Sequence, residues 1–508
     1  MSSLLTRDEY RALAESLSLP TNAMIGGKAT APIGGGTFDT INPATGEVLA
    51  KVACCRKEDV DLAVEKARRA FESGLWSRAH PSERKRAMRR LVRLMERHVR
   101  ELAVLETLES GKPIYDVETV DIPEALHCLE WHAEAADKIY GQTSPSGDDV
   151  VSTIVRQPIG VVACVLPWNF PILMLAWKLG PALATGNSVI VKPAEQTSMT
   201  ALRIAELAHE AGIPEGVLQV VTGPGEITGK ELGLHPDVDM VAFTGSTGIG
   251  RKFLEYSAKS NLKRIVLECG GKNPCIVLDD VEHLDVVARH ATQAVFWNMG
   301  ENCSSNSRLI VHARIKDRLV NEILVKMRDW PLGDPLDPAN RLGAIVSKEQ
   351  FDKIIGYINK GKAEGAKVIA GGSAHPLGKG YFIEPTVFDN VTPDMTIARD
   401  EIFGPVLAVI AVSSAEEAVR VANDTSYGLA ASIFTANGSR AQRMARDIRA
   451  GTVTINCYGE GDITTPFGGF KLSGFGGRDK SLHAHDQYTE LKTIWTDISD
   501  PKAAQSID

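Results

Sequence analysis

Of the eight cysteines in this chain, one sits where a thiol could react. Cys303 lies in the run FWNMGENCSSNSRL, with Gly300, Glu301 and Asn302 before it and Ser304 after it. Free cysteines are more often apolar core filler, and Cys54, Cys55, Cys128, Cys164, Cys269, Cys275 and Cys457 are expected to be that. A polar setting argues against packing at Cys303 and for a reactive thiol. A second candidate is Glu268 in LECGGK, which ends a very apolar strand just before Gly270–Gly271, a poor place for an idle charge.

Three loops have the make-up of a dinucleotide site. GPGEITG, with Gly223, Gly225 and Gly229, misses the G-x-G-x-x-G spacing by one residue and reads equally as a surface turn. In FTGSTGIG, Gly245 and Ser246 follow a strand and precede a helix start near Gly248 or Gly250. Such a loop fits either a pyrophosphate cradle or a helix cap. VKPAE places Lys192 and Glu195 after a strand, at the carboxyl edge where open α/β sheets bind ligands. An acid there can accept both ribose hydroxyls of NAD and repel the 2′-phosphate of NADP; the alternative is an exposed salt bridge.

These residues need a scaffold. A length of 508 residues, 44% hydrophobic with 45 Gly and 25 Pro, indicates an ordinary α/β protein of two or three domains. A net charge of -8 gives no general attraction for nucleic acid or anionic membranes. The cysteines contain no CxxC, and MSSLLTRDEYRALAESLSL lacks the apolar core of a signal peptide, so a reducing cytoplasm is expected. His483 and His485 in LHAHD lack further ligands, and no metal site is assigned. The apolar segment from Pro158 to Pro193 is broken by Pro167, Asn169, Pro171, Lys178 and Pro181, and reads as strand, loop, helix and strand rather than a membrane span.

Helical spacing marks Val60, Val64, Ala67 and Phe71, and then Met88, Leu91, Met95, Val99, Leu102 and Leu105 in one helix from Pro81 to Gly111. The arginines on its other face, from Arg84 to Arg97, are expected to be solvated. From Gly160 the strands GVVACVL, NSVIVKP, VLQVV, DMVAF, RIVLE and PCIVLDD alternate with helices such as 200–211 and 248–257. That rhythm predicts a parallel, doubly wound sheet. A second α/β segment follows Lys272, with the boundary near Gly270–Gly271.

PWNFP, WKLGPALATGN, VKPAE, FTGST, LECGGK, the Gly300–Cys303 run, DEIFGP and PFGGFKLSG occur in the order found in NAD(P)-dependent aldehyde dehydrogenases. The chain resembles that family from about Asn22 to Trp495. The resemblance implies a Rossmann-like coenzyme domain (1–138 and 159–269), a catalytic domain (270–471) and a small β oligomerisation element (139–158, with 472–508 as its strand and tail). It also implies a homotetramer or homodimer. A thiolate adding to an aldehyde makes an alkoxide that can push a hydride onto nicotinamide. The resemblance makes Cys303 the nucleophile, the Asn169 amide and the Cys303 backbone N–H the oxyanion donors, and Glu268 the base that hydrolyses the thioester.

By the same pattern Glu401 holds the nicotinamide ribose, Phe403 flanks the ring, and Leu166, Trp168, Lys192, Glu195, Gly225, Gly245 and Ser246 line the coenzyme. NAD is favoured over NADP. Phe170, Met174, Trp177, Trp297 and Phe467 would form the aldehyde tunnel, with Glu460 and Asp462 near its mouth as candidates for holding a distal cation. The alternative for these two is a solvated Gly-rich loop. LLTRDEYRALAESL and GRDKSLHAHDQYTELKTIW resemble the bacterial branch that oxidises γ-glutamyl-γ-aminobutyraldehyde and guanidinobutyraldehyde. A betaine-aldehyde or broad aliphatic and aromatic specificity is the alternative, and a non-catalytic use of the fold would lack nucleophile or base. Asn302 and Ser304–Ser305–Asn306 are more polar than the family's usual small neighbours of the cysteine, and GFGGRDK carries an extra Gly.

Overall fold

The computed structural model describes residues 3–499. Residues 500–508 of the C-terminal segment lie outside them. Five short, β-branched-rich runs form a parallel sheet: β1 (Val161–Val165), β2 (Ser188–Lys192), β3 (Leu218–Val220), β4 (Met240–Gly245) and β5 (Arg264–Cys269). Their order is β5-β4-β1-β2-β3, with Ala23–Ile25 and Lys28–Thr30 extending one edge and Gly474–Phe475 the other. β1, β2 and β3 are buried along their whole length, as expected for parallel strands covered on both faces. The chain direction across the sheet switches between β1 and β4, so the carboxyl ends carrying Leu166–Trp168 and Gly245–Ser246 flank the crevice where such sheets take ligands.

The second sheet is built from β6 (Pro274–Val277), β7 (Arg308–His312), β8 (Thr386–Asp389), β9 (Val406–Val412), β10 (Ala430–Phe434) and β11 (Thr452–Ile455). It runs β8-β9-β7-β6-β10-β11, all parallel, with an antiparallel edge at Lys367–Ala370. A third, antiparallel sheet pairs Thr489–Asp497 with Val150–Pro158 and Gln142–Thr143. The segment from 472 onward therefore first edges the coenzyme-type sheet and only then joins the arm.

Helix α1 (Pro171–Ala184) is apolar on every side and buried throughout, the core element that the sequence disguises as a membrane span. Among the described residues no helix is long and apolar enough to cross a membrane. Pro171 opens α1, and the buried Glu106 carboxylate accepts from the Ile172 N–H at 3.0 Å. Gly180 permits close packing, since a Cβ there would meet His132 Cδ2 at 2.8 Å.

Two expectations change. The helix read from Pro81 to Gly111 breaks at His98 into Pro81–Arg97 and Val99–Ser110, because His98 has left helical geometry (φ -109°, ψ 18°). Its basic face is only partly solvated. Arg84 is buried and donates to the carbonyls of Ala184 at 3.1 Å and Ala79 at 2.6 Å, and Arg90 donates to Ala211 O at 2.6 Å. The Ala184 and Ala211 carbonyls are orphans at helix C-termini, where a cation is favoured, and Ala79 O belongs to the turn before Pro81. Arg84→Met should strand those carbonyls and cost about 2–4 kcal/mol, read as a lower thermal midpoint with kcat/KM retained.

Candidate active site

Helix α2 (Leu284–Phe296) delivers the chain to Trp297, and then Asn298, Met299 and Gly300 take left-handed backbone angles (φ 52°, 54° and 70°). Two non-glycine residues there cost roughly 1–3 kcal/mol each, so the surroundings must hold the turn. Asn298 Nδ2 donates to Asn169 O and to Glu301 O, both at 2.9 Å, and Asn169 Nδ2 donates to Glu301 O at 3.0 Å. Gly300 is required, since a Cβ there would lie 2.2 Å from Gly404 O. Beyond the turn Asn273 Nδ2 donates to Cys303 O at 2.7 Å and Ser305 O at 3.0 Å, while its Oδ1 accepts from Ala430 N. Cys303 is thereby fixed, half-buried, with its thiol toward a cavity.

Glu268 ends β5 on the facing wall and is buried. The Gly469 N–H donates to it, Gly468 passes so close that a Cβ would lie 2.7 Å from Oε1, and Oε2 has no partner. Burial first, and the Asp479 charge second, push its carboxyl well above the usual range, with Lys178 and Arg478 opposing. Lys178 and Asp479 form a buried ion pair at 3.0 Å, and Asp479 lines the cavity. Sequence reasoning missed this pair; a lysine inside the otherwise apolar α1 was the available signal.

The cavity, about 220 Å³, brings together Cys303, Glu268 and Asn169 with Trp168, Gly245, Ser246, Glu401 and Phe403. Its apolar walls are Phe170, Met174, Trp177, Trp297 and Phe467, with Glu460 also in the lining. Aromatic pairs Phe170–Trp297, Trp177–Phe467 and Trp168–Phe403 sit 5.1, 5.2 and 5.3 Å apart between centroids. Asn169 spends one amide hydrogen on Glu301 O, which leaves the other for a ligand oxygen.

On the sheet side Glu401 accepts from the Gly271 N–H at 2.8 Å, and a Cβ at Gly270 would lie 2.1 Å from Glu401 Oε2. LECGGK thus needs its glycines to let this carboxylate approach. Gln350, which donates to Phe403 O at 2.6 Å, and Lys353 complete that wall and were not foreseen. Glycine-opened backbone, an acid and a T-shaped Trp–Phe pair at a sheet switch point suit a dinucleotide's nicotinamide half.

Leu166, Lys192, Glu195 and Gly225 lie outside this cavity. Leu166 is a buried core residue whose N–H donates to Lys192 O. Lys192 Nζ donates to Pro193 O at 2.7 Å and stands 3.5 Å from Glu195 Oε2, on the adjacent carboxyl end of β2. Gly225 opens a turn after β3.

Two expectations are corrected. Asp462 is exposed, and its carboxylate caps its own turn through Thr464 N at 2.7 Å, so it does not enter the tunnel. Cys457 is exposed rather than core. The Cys303 thiol is not a ready thiolate: burial, then the charges of Glu460, Glu401 and Glu268, push it well above the usual thiol range against one Ser304 N–H. His485 packs against buried His132 at 3.0 Å, and among the described residues no group of three or more metal-ligating side chains occurs.

A doubly wound sheet and a second parallel sheet facing each other across a thiol-lined cavity mark a two-sheet α/β oxidoreductase. The chain belongs to the aldehyde dehydrogenase family, whose model matches residues 31–494. It is 58% identical to an aminoacetaldehyde dehydrogenase of Pseudomonas aeruginosa over 98% of this chain and 100% of that one. The fold matches a γ-glutamyl-γ-aminobutyraldehyde dehydrogenase from Burkholderia cenocepacia with a TM-score of 0.95 at 51% identity, covering 97% of this chain and 100% of that one. It also matches the P. syringae indole-3-acetaldehyde dehydrogenase AldA, solved with NAD+ and IAA, with a TM-score of 0.96 at 49% identity and the same coverage.

The site's charges make a testable pattern. Alkylation of Cys303 by iodoacetamide in coenzyme-free protein should have a midpoint above the ordinary thiol value of about 8.5. Replacing a raising carboxylate by its amide should lower that midpoint, most for Glu460→Gln, then Glu401→Gln, then Glu268→Gln. A midpoint unmoved by all three would contradict the electrostatics.

Proposed function

We propose that this enzyme oxidises aldehydes to free carboxylic acids with NAD, by covalent attachment to Cys303, and that its preferred substrates carry a distal amino, γ-glutamylamino or guanidino group. One observation carries the reading: Cys303, Asn169, Glu268 and Glu401 share one cavity, with the Glu460 carboxylate in the same lining.

Cys303 Sγ adds to the carbonyl carbon, and its proton leaves to Glu268 or solvent. The new oxyanion is received by the spare Asn169 N–H and the Cys303 backbone N–H; losing one such donor would raise the barrier by about 3–4 kcal/mol. Glu401, Phe403, Trp168, Gly245 and Ser246 would hold NAD, which would accept the hydride that the carbon loses as the oxyanion collapses to the thioester. Glu268 then takes a proton from water as the water adds to the thioester, and Cys303 departs with the acid released. Burial raises the proton affinity of Glu268, which suits a base that must hold a proton near neutral pH. An acyl transfer to coenzyme A would need no such base, so Glu268 favours hydrolysis. Glu195 beside Lys192 favours the hydroxyls of NAD over the phosphate of NADP.

Amino-aldehyde relatives and the tunnel's carboxylate both support the substrate class. The aromatic wall equally accommodates apolar aldehydes, which supports a broader range as the second reading. In this reading 1–138 with 159–269 hold the coenzyme, 270–471 the thiol, and the arm with Thr489–Asp497 joins subunits of a homodimer or homotetramer in a reducing cytoplasm. Leu491 and Trp495 are exposed on one face of that strand and Ile494 on the other, apolar surface of the kind a second copy covers.

Glu268→Gln should give one NADH per site in a burst and then stall, whereas Cys303→Ala should give none; steady turnover by Glu268→Gln would remove the base. A Leu491→Glu, Trp495→Glu double variant should sediment as a smaller species than wild type, and an unchanged assembly would count against the arm's role.

A further inference from the structure

The mechanism above uses neither Asn302 nor Ser304, the polar neighbours of the nucleophile, yet both are buried. Asn302 Oδ1 accepts from the Ser304 N–H at 3.0 Å and also lies 3.0 Å from Ser304 Oγ, so the single hydroxyl hydrogen has two acceptors in reach, this amide oxygen and the charged Glu460 carboxylate, of which the charged one is the stronger. Asn302 Nδ2 donates to Tyr458 Oη at 2.8 Å. Tyr458 Oη stands 3.3 Å from Ser304 Oγ, and Ser304 Oγ bonds Glu460 Oε1. One direction uses each hydroxyl hydrogen once: the Asn302 amide donates to Tyr458, Tyr458 to Ser304, and Ser304 to the Glu460 carboxylate. A chain of this kind polarises along its length and is strongest when it ends on a charged acceptor.

Glu460 is held at its backbone too. Lys480 Nζ donates to Glu460 O at 2.8 Å while lying over the Trp177 and Phe467 rings at 5.1 and 5.7 Å. Its ammonium is held by a carbonyl and two ring faces, near enough that the Glu460 charge is the foremost one acting on it, though without a direct ion pair. Among the described residues, Glu460 takes part in no ion pair within 4.0 Å.

The place of this carboxylate is particular. Outside the reaction chamber lies a vestibule of about 480 Å³ lined by Glu124, Arg289, Arg341, Tyr458 and Lys480 among others. Of all the lining residues only Trp297 and Glu460 border both spaces. Glu460 thus stands at the neck, where the two spaces meet. An unpaired, half-buried carboxylate at such a point is receptive to a cation.

We propose that Asn302, Tyr458 and Ser304 are positioning residues that fix the Glu460 carboxylate at the neck as the receptor for the substrate's distal cation, so that the nucleophile loop itself sets charge specificity. This rests on the cationic-substrate reading above. It has a consequence for chemistry: a cation seated on Glu460 offsets the foremost of the three carboxylate charges that oppose the Cys303 thiolate.

The test compares kcat/KM for guanidinobutyraldehyde with that for its neutral isostere ureidobutyraldehyde, which differ only in charge. Wild type should prefer the guanidino compound, and Glu460→Gln should abolish most of that preference. Ser304→Ala and Tyr458→Phe should each reduce the ratio about fivefold to tenfold, through KM for the guanidino substrate, and Ser304→Thr should restore it. If both variants lower kcat/KM equally for the two aldehydes, the network merely supports Cys303 and the proposal falls, with the substrate reading intact. A wild-type ratio of one would sink the substrate reading itself and the proposal with it.

Discussion

The hydrogen bonds among Asn169, Asn298 and Glu301 tie the two halves of this molecule together at the point of reaction. Asn169 follows β1 of the first parallel sheet, and Asn298 and Glu301 belong to the turn that presents Cys303 from the second. A left-handed turn of two non-glycine residues and Gly300 would not persist without them. With them, the Asn169 amide and the Cys303 thiol, proposed to receive the substrate's oxygen and to attack its carbon, are set by one knot of bonds. Asn273 adds a second brace on the far side of Cys303. Preorganisation of this kind is what makes a donor effective, since nothing has to reorient as charge develops.

The same enclosure creates an electrostatic problem. Glu460, Glu401 and Glu268 all face the thiol and hold it protonated in the resting state, as burial does. Each acid has its own task in this account: reading the substrate's charge, holding the coenzyme, and activating water. The site therefore disfavours the thiolate, and within the buried Lys178–Asp479 pair the Asp479 charge raises the proton affinity of Glu268 while Lys178 opposes it. A cysteine that reacts only in a filled site is shielded from stray oxidants.

Much of this was legible in the residue order, where a motif's chemistry depends on backbone that the motif itself supplies. Cys303, Glu268 and Asn169 converge as the resemblance implied, and the β–α rhythm after Gly160 gave the parallel sheet correctly. What was illegible depends on partners distant in the chain. Arg84 and Arg90 looked like a solvated stripe because their helix-end carbonyl acceptors lie 100 and 121 residues away, at Ala184 and Ala211. Asp462 and Glu460 are near-identical in sequence terms, yet one caps its own turn and the other meets Ser304 at the neck. Lys178 read only as a break in an apolar run, and only the fold shows Asp479 opposite it.

The central claim is that the aldehyde's carbon is bonded to Cys303 during oxidation and freed by Glu268. Incubating the Glu268→Gln protein with an amino aldehyde and NAD, then mapping tryptic peptides by mass spectrometry, tests both halves at once. The account predicts that the peptide holding Cys303 gains the mass of the aldehyde less two hydrogens, and that the wild-type protein clears this adduct. An adduct on another residue, or none while NADH accumulates, would contradict it.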